Sequence, residues 1–284
     1  MRRVALLFLL GCGGSTPAPA RAVPPVRAAT PADALLELLP AGADAVAELD
    51  VARLRANETV GGVVSALRKH ATAGFDPLGV IDVAVAAVYR LGADDAATVF
   101  VLRGAVGELP DNVRAGGELL DEKTFLYAPA AERARVKASG PSLAGDAKFL
   151  ALRAQAMPPK ATGSVLRVTA KLDRRARIAA AGKLGLDEIP ATVSAWLDLA
   201  DDAALVALLG GDDESDAVRL SDLVRTAGAR AQKLLPAWIP HGRSGGELTT
   251  KTSGRSCRVV WLLGPKHLGA WARATAKRLE GEGT

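Results

Sequence analysis

The stretch ATVSAWLDLADDAALVALL, residues 191–209, decides the fold class of this chain. Its apolar residues form two runs, Ala191–Leu199 and Ala203–Leu209, with Asp201-Asp202 between them, which reads as two strands around a tight turn. An equivalent pair stands earlier. Ile81–Tyr89 and Ala97–Leu102 are strands joined by Gly92-Ala93-Asp94-Asp95. The tetrapeptide Asp94-Asp95-Ala96-Ala97 returns 107 residues later as Asp201-Asp202-Ala203-Ala204, and each following apolar run soon meets a glycine, Gly104 or Gly210.

The elements around these hairpins repeat as well. Ala45–Asp50 alternates like a strand with one buried face, and Val51–Lys69 has Leu54, Val60, Val63, Val64 and Leu67 at helical spacing. Ser164–Leu172 and Arg174–Leu186 give the same strand and helix ahead of the second hairpin. Both units continue. The first adds strands at Leu119–Tyr127 and Arg135–Ala138 and a helix at Leu143–Met157. The second adds a helix at Val218–Leu235, a hairpin of Glu247–Thr252 with Cys257–Leu263, and a closing helix at Leu268–Leu279. A short helix, Ala32–Leu39, precedes them and stops at Pro40. The expected fold is α+β: two related β-α-β-β units from an internal duplication, with mostly antiparallel sheets and helices packed on one face. Pro158-Pro159 cannot continue a helix, so the units divide into residues 32–158 and 159–284.

Outward from these units, residues 12–31 hold Pro17, Pro19, Pro24, Pro25 and Pro31 among small residues, an extended tether reaching on the order of 50–60 Å. Ahead of it, residues 1–11 have the layout of a secretory signal peptide: basic Arg2 and Arg3, apolar Val4–Leu10, then small Gly11. That run is too short to span a bilayer, which takes about 20 apolar residues. Leu9-Leu10-Gly11-Cys12 resembles the lipobox of bacterial lipoproteins, although Leu10 is bulkier than the usual residue there and the signal is short. The resemblance implies cleavage before Cys12, acylation (palmitate or a similar chain) of its thiol and new amino terminus, and a membrane anchor facing the periplasm. Gly13 is not the Asp that holds some such proteins at the inner membrane, which favours the outer membrane.

Leu39-Pro40-Ala41-Gly42-Ala43-Asp44-Ala45, running into a strand and then Asp50-Val51-Ala52-Arg53-Leu54-Arg55, is similar to a family of bacterial envelope proteins of unknown function. So is Gly140-Pro141-Ser142-Leu143-Ala144-Gly145-Asp146 ahead of Phe149. The resemblance implies architecture and compartment, and carries no catalytic residues.

Composition narrows the function classes. The chain has 284 residues, 49% hydrophobic and 4% aromatic, so its core must be built mainly from Ala, Val and Leu. Few rings argue against a base-stacking platform. The formal net charge of +5 comes from Arg and Lys scattered along helices rather than from one dense stripe, so nucleic acid is not an expected partner. With Cys12 acylated, Cys257 has no disulfide partner and reads as a buried thiol.

The candidate sites are few. Gly242-Arg243-Ser244-Gly245-Gly246 matches the nucleophile-elbow pattern, and a hydrolase would use Ser244 with His241 or His267. That elbow needs a strand before the serine and a helix after it, and here a strand follows. His70, His241 and His267 are far apart and lack metal-ligand spacing, so no metal is expected. Asp212-Asp213-Glu214-Ser215-Asp216 lacks a calcium-loop spacing, and Asp216 reads as a helix N-cap. Asn57-Glu58-Thr59 matches a glycosylation acceptor without meaning in this setting. The last helix sets Leu268, Trp271, Ala272, Ala276 and Leu279 on one stripe with Lys266, Arg273, Lys277 and Arg278 outside it, the layout of a packed helix or of a membrane-surface helix. The reading is a non-catalytic, lipid-anchored envelope module, without cofactor, that binds an envelope partner or small ligand across its sheet or between its units. A Ser244 hydrolase and a membrane-surface binder are the alternatives.

Overall fold

A computed structural model describes residues 30–69, 76–138, 140–158, 161, 163–184, 189–234 and 246–281. Ten strands lie in one sheet: β1 (Ala45–Asp50), β2 (Ile81–Tyr89), β3 (Ala97–Gly104), β4 (Gly117–Asp121), β5 (Thr124–Tyr127), β6 (Leu166–Lys171), β7 (Thr192–Leu199), β8 (Ala203–Gly210), β9 (Glu247–Ser253) and β10 (Ser256–Leu263). Helices α1 (Asp33–Leu36), α2 (Val51–Ala56), α3 (Gly61–Lys69), α4 (Pro77–Val80), α5 (Asp111–Arg114), α6 (Ala130–Lys137), α7 (Ala147–Ala154), α8 (Arg174–Leu184), α9 (Glu214–Leu234) and α10 (Pro265–Gly281) accompany it, with short 3-10 turns at Val106–Glu108 and Leu143–Gly145.

The α+β class holds, with every strand pairing antiparallel and helices packed against the sheet. The strand order is β4-β5-β3-β2-β1-β6-β7-β8-β10-β9. Read outward from the β1–β6 contact, the two halves match strand for strand. β1 and β6 are zipped by five residue pairs, from Ala45↔Ala170 to Leu49↔Leu166, so both units share one sheet rather than a sheet each.

Alternation then sorts side chains between two faces. Val46, Val85, Val101 and Leu126 point to one face, where Leu35 and Leu36 of α1, Leu143 in the turn before α7, and Phe149 of α7 cover them. Ala47, one residue on from Val46, shares the opposite face with Ala195, Ala207 and Val259. There α9 covers Ala207, Cys257 and Val259 through Leu220, while α3 and α10 cover Ala203 and Leu263 through Val63, Leu268 and Ala272. Val106 and Leu109 cover Phe125 on that same face. The helices therefore divide between the two faces, because the connections after β3 and β8 drop to one side and α1 and α7 to the other.

Several boundaries differ from expectation for identifiable reasons. Val51–Lys69 is two helices: the Asn57 side chain accepts from the Thr59 and Val60 amides and donates to the Leu199 and Ala200 carbonyls, which breaks the run and ties it to the end of β7. This also gives Asn57 of the acceptor-like tripeptide a structural task. Leu119–Tyr127 is a hairpin, turned where Asp121 Oδ1 accepts from the Lys123 amide at 2.7 Å. Arg135–Ala138, expected as a strand, is mostly the last turn of α6. Pro129 sets its entry, and buried Glu132 anchors it between Arg90 (2.5 Å) and Arg135 (2.8 Å). Met157-Pro158 lies between α7 and β6.

An apolar sheet face as candidate functional site

Three rows of residues cross the open face of the sheet. The middle row runs Gly117, Tyr127, Phe100, Ala86, Ala47, Val168, Ala195, Ala207, Val259, Thr250. The second starts at Leu119 and passes through Leu102, Ala84, Leu49, Leu166, Leu197 and Leu205 to Trp261 and Leu248. The third holds Thr98, Val88, Ala45, Ala170, Val193, Leu209, Cys257 and Thr252. No position in these rows carries a charge.

The helices on this face lie over its ends, and the centre stays partly open. Ala45, Ala47, Leu49, Ala84, Ala86, Val88, Leu166, Val168, Val193, Ala195 and Leu197 are all half-buried. A floor of Ala and Val, with longer Leu side chains beside it, is purely apolar. Such a surface offers contact to hydrocarbon and no side-chain hydrogen bond.

The other face is the polar opposite at its centre. Glu48 of β1 and Arg167 of β6 are paired across the strands, each 5% exposed. The Glu48 carboxylate accepts two hydrogen bonds from the Arg153 guanidinium, each 2.6 Å, and Arg153 also meets Asp33 at 2.6 Å. Burial alone would raise the Asp33 carboxyl, but the Thr30 amide and the Arg153 guanidinium outweigh it and hold it below the usual carboxylate range. Ser194 accepts from the Ala156 amide at 3.1 Å, and Trp196 donates to the Gly163 carbonyl at 3.0 Å. This network fastens α7, from the first half, onto β6 and β7 of the second. It is a clamp in which one guanidinium, Arg153, serves both Glu48 and Asp33. Sequence reading had singled out none of these residues, although the alternation Val46-Ala47-Glu48-Leu49 does place Glu48 on the core side.

The two stretches that resemble the envelope family meet in space. Ala41 donates to the Pro141 carbonyl and Leu143 to the Leu39 carbonyl, both at 2.9 Å, and Pro40 bridges Ser142. They wall a shallow cavity of about 250 Å³ beside Arg135, and Tyr89 beneath it donates to the Pro40 carbonyl at 2.8 Å. Burial pushes the Tyr89 phenol up.

The remaining sequence candidates do not assemble into a site. Cys12, His70, His241 and Ser244 lie outside the described residues. His267 is exposed in the first turn of α10. The segment after the Gly-Arg-Ser-Gly-Gly motif is strand β9, beginning at Glu247, so the helix an elbow requires is not there. In the acidic run, Asp213 rather than Asp216 caps α9. Its Oδ1 accepts from the Asp216 amide at 2.9 Å, which, with the Ser215 hydroxyl, holds its carboxyl low. The helix begins at Glu214, four residues earlier than expected, which turns Asp216 inward to accept from the Asp212 amide at 2.7 Å and pair with Arg219. Asp212 pairs with Arg177 at 2.6 Å. Among the described residues no group of His, Cys, Asp and Glu is placed to hold a metal ion, and no helix is long and apolar enough to cross a membrane. Cys257 is a buried free thiol, pushed up by burial.

No family model and no curated protein sequence matches the chain. Among solved structures it is similar to TP0453 in two crystal forms. Form I gives a TM-score of 0.45 at 9% identity, covering 85% of this chain and 96% of that one. Form III gives 0.44 at 9% identity, covering 85% and 97%.

Proposed function

We propose that this protein is a non-catalytic binding module of the bacterial cell envelope, anchored by lipid on Cys12 to a membrane facing the periplasm, the outer membrane by preference. It takes an apolar ligand, or the apolar part of an envelope partner, on the floor formed by Ala47, Ala86, Val168 and Ala195. The observation that carries this reading is the uncharged, half-open face, since apolar surface of that extent is costly to leave in water and marks binding sites. The anchor rests on Leu9-Leu10-Gly11-Cys12 and the Pro-rich tether behind it. The test is fluorescence titration of the full chain carrying Cys12→Ala with a pyrene-labelled hydrocarbon probe. Saturable binding that Ala86→Arg abolishes supports the reading. Binding unaffected by Ala86→Arg sinks it.

One observation favours a second reading, attachment to a membrane surface through α10. Lys266, Arg273 and Lys277 are exposed while Leu268 and Ala272 are buried against α3. Flotation of the Cys12→Ala chain with anionic vesicles tests it, and absence of binding at low salt would exclude it.

A further inference from the structure

Exposure along the middle row of the open face falls in one direction. At the β5 and β3 end Tyr127 is 44% exposed and Phe100 39%, with Leu119 of β4, 46% exposed, beside them. Ala86, Ala47, Val168 and Ala195 follow across β2, β1, β6 and β7, all half-buried. Ala207 of β8 and Val259 of β10 are 8% and 4% exposed, beneath Leu220 of α9. The row is thus open at one end, partly covered along its length and shut at the other. Neighbouring strands lie about 4.8 Å apart, so the crossing from Tyr127 to Ala195, through β3, β2, β1 and β6, spans about 24 Å.

Phe100 and Tyr127 form the open end. They are paired directly, their rings edge to face with centroids 6.3 Å apart. A side chain at Gly116 would collide with the Tyr127 ring, so glycine there lets the ring rest against the backbone entering β4. The Tyr127 hydroxyl is the one polar side-chain group in the row before Thr250 at the far edge. An apolar ring with a wet tip suits a boundary between hydrocarbon and water. The gradient selects among occupants. A bilayer surface, or a helix about 10–12 Å across, needs an exposed face, which the half-buried floor does not offer. A short ligand would leave most of the row uncovered. A single hydrocarbon chain is narrow enough to follow a partly covered row and long enough to fill it. Its polar head must stay in water, because no side chain from Phe100 to Val259 could pair with it.

We infer that the floor takes the unbranched acyl chain of a free single-chain amphiphile, an assignment that rests on the apolar-ligand reading above and adds to it a direction and a mouth. The chain enters over Phe100 and Tyr127 and lies along Ala86, Ala47 and Val168. Its methyl end reaches Ala195 and the cover of α9, and its head group stays in water beyond Tyr127.

The test uses the full chain with Cys12→Ala, so that no acyl chain of its own competes, and two palmitate probes below their micellar concentration. One carries a diazirine at the methyl end, the other beside the carboxylate. After irradiation and peptide mapping, the methyl-end group should mark β7, β8 or α9, and the carboxylate-end group Phe100, Leu119 or Tyr127. Plain palmitate should bind at least a hundredfold more tightly than octanoate, because each further buried methylene adds affinity. Phe100→Asp and Tyr127→Asp, both at exposed positions, should each weaken palmitate at least tenfold while thermal unfolding stays unchanged. Reversed or coinciding labels, equal affinity for the two acids, or palmitate binding that neither variant alters would overturn the inference. If the pyrene-labelled probe still binds in that case, and Ala86→Arg still abolishes its binding, the apolar-floor reading stands without it. Failure of both the pyrene and the palmitate probes to bind sinks both.

Discussion

Glu48 and Arg167 face one another across β1 and β6, the strand pair where the two halves of the sheet meet, and both are buried. Arg153 reaches over from α7 and donates two 2.6 Å hydrogen bonds to Glu48. A balanced buried cluster adds little net stability over an apolar one, but removing one member strands the others in a low dielectric. Glu48→Ala should therefore cost about 3–5 kcal/mol in urea unfolding. Combining it with Arg153→Met should cost less than the two single changes added together, and additive costs would show that the residues do not act as a unit.

The fork from Arg53 to Asp198, with Nε and Nη2 each donating at 2.8 Å, joins α2 to β7. Lys cannot reproduce a two-pronged contact. Because both groups are partly exposed, Arg53→Lys should cost only about 1 kcal/mol. A thermal unfolding curve that does not shift would show the fork to be dispensable.

Asp146 caps α7, accepting from the Lys148 and Phe149 amides at 2.9 and 3.0 Å. Asp146→Ala should lower stability by about 1 kcal/mol, and Asp146→Asn by less. The comparison separates the capping contact from a simple loss of charge.

Acid should weaken the fold through named carboxylates. Asp33 is held low by Thr30 and Arg153 against the effect of burial, and Asp213 by the Asp216 amide. A depressed folded value contributes stability above the unfolded value of about 3.9, and that stability is lost as pH falls through the folded value. Unfolding free energy should thus drop below about pH 4. Asp33→Asn should flatten that limb, and an unchanged acid limb would count against the assignment.

Cys257 lies beneath α9, pushed up by burial. With Cys12→Ala, a thiol reagent should modify nothing in the native protein and one thiol after denaturation. Rapid modification under native conditions would mean that α9 does not cover β10 as described.

Much of the sheet was legible in the sequence. Ala45–Asp50 and Ile81–Tyr89 match expectation residue for residue, because strict alternation leaves no other periodicity to satisfy. Arg135–Ala138 misled for the same reason: Arg135-Val136-Lys137-Ala138 alternates, and only the tertiary anchoring of Glu132 reveals the helix. The β1–β6 seam could not be read, since strand pairing across such a distance leaves no mark in the local pattern. The candidate face was half legible. Alternation places Ala47 and Ala86 together, but that they stay open depends on where α3, α9 and α10 settle.

The most direct test of a binding face is occupancy in the living cell. A photoreactive amino acid placed at Ala86, on the open floor, should form adducts on irradiation with an apolar ligand or an envelope partner. The same group at Thr249, exposed on the other face near the β9 edge, should form few. Adducts at position 86 well above those at 249 are the predicted result. Equal yields, or none at 86, would contradict the account.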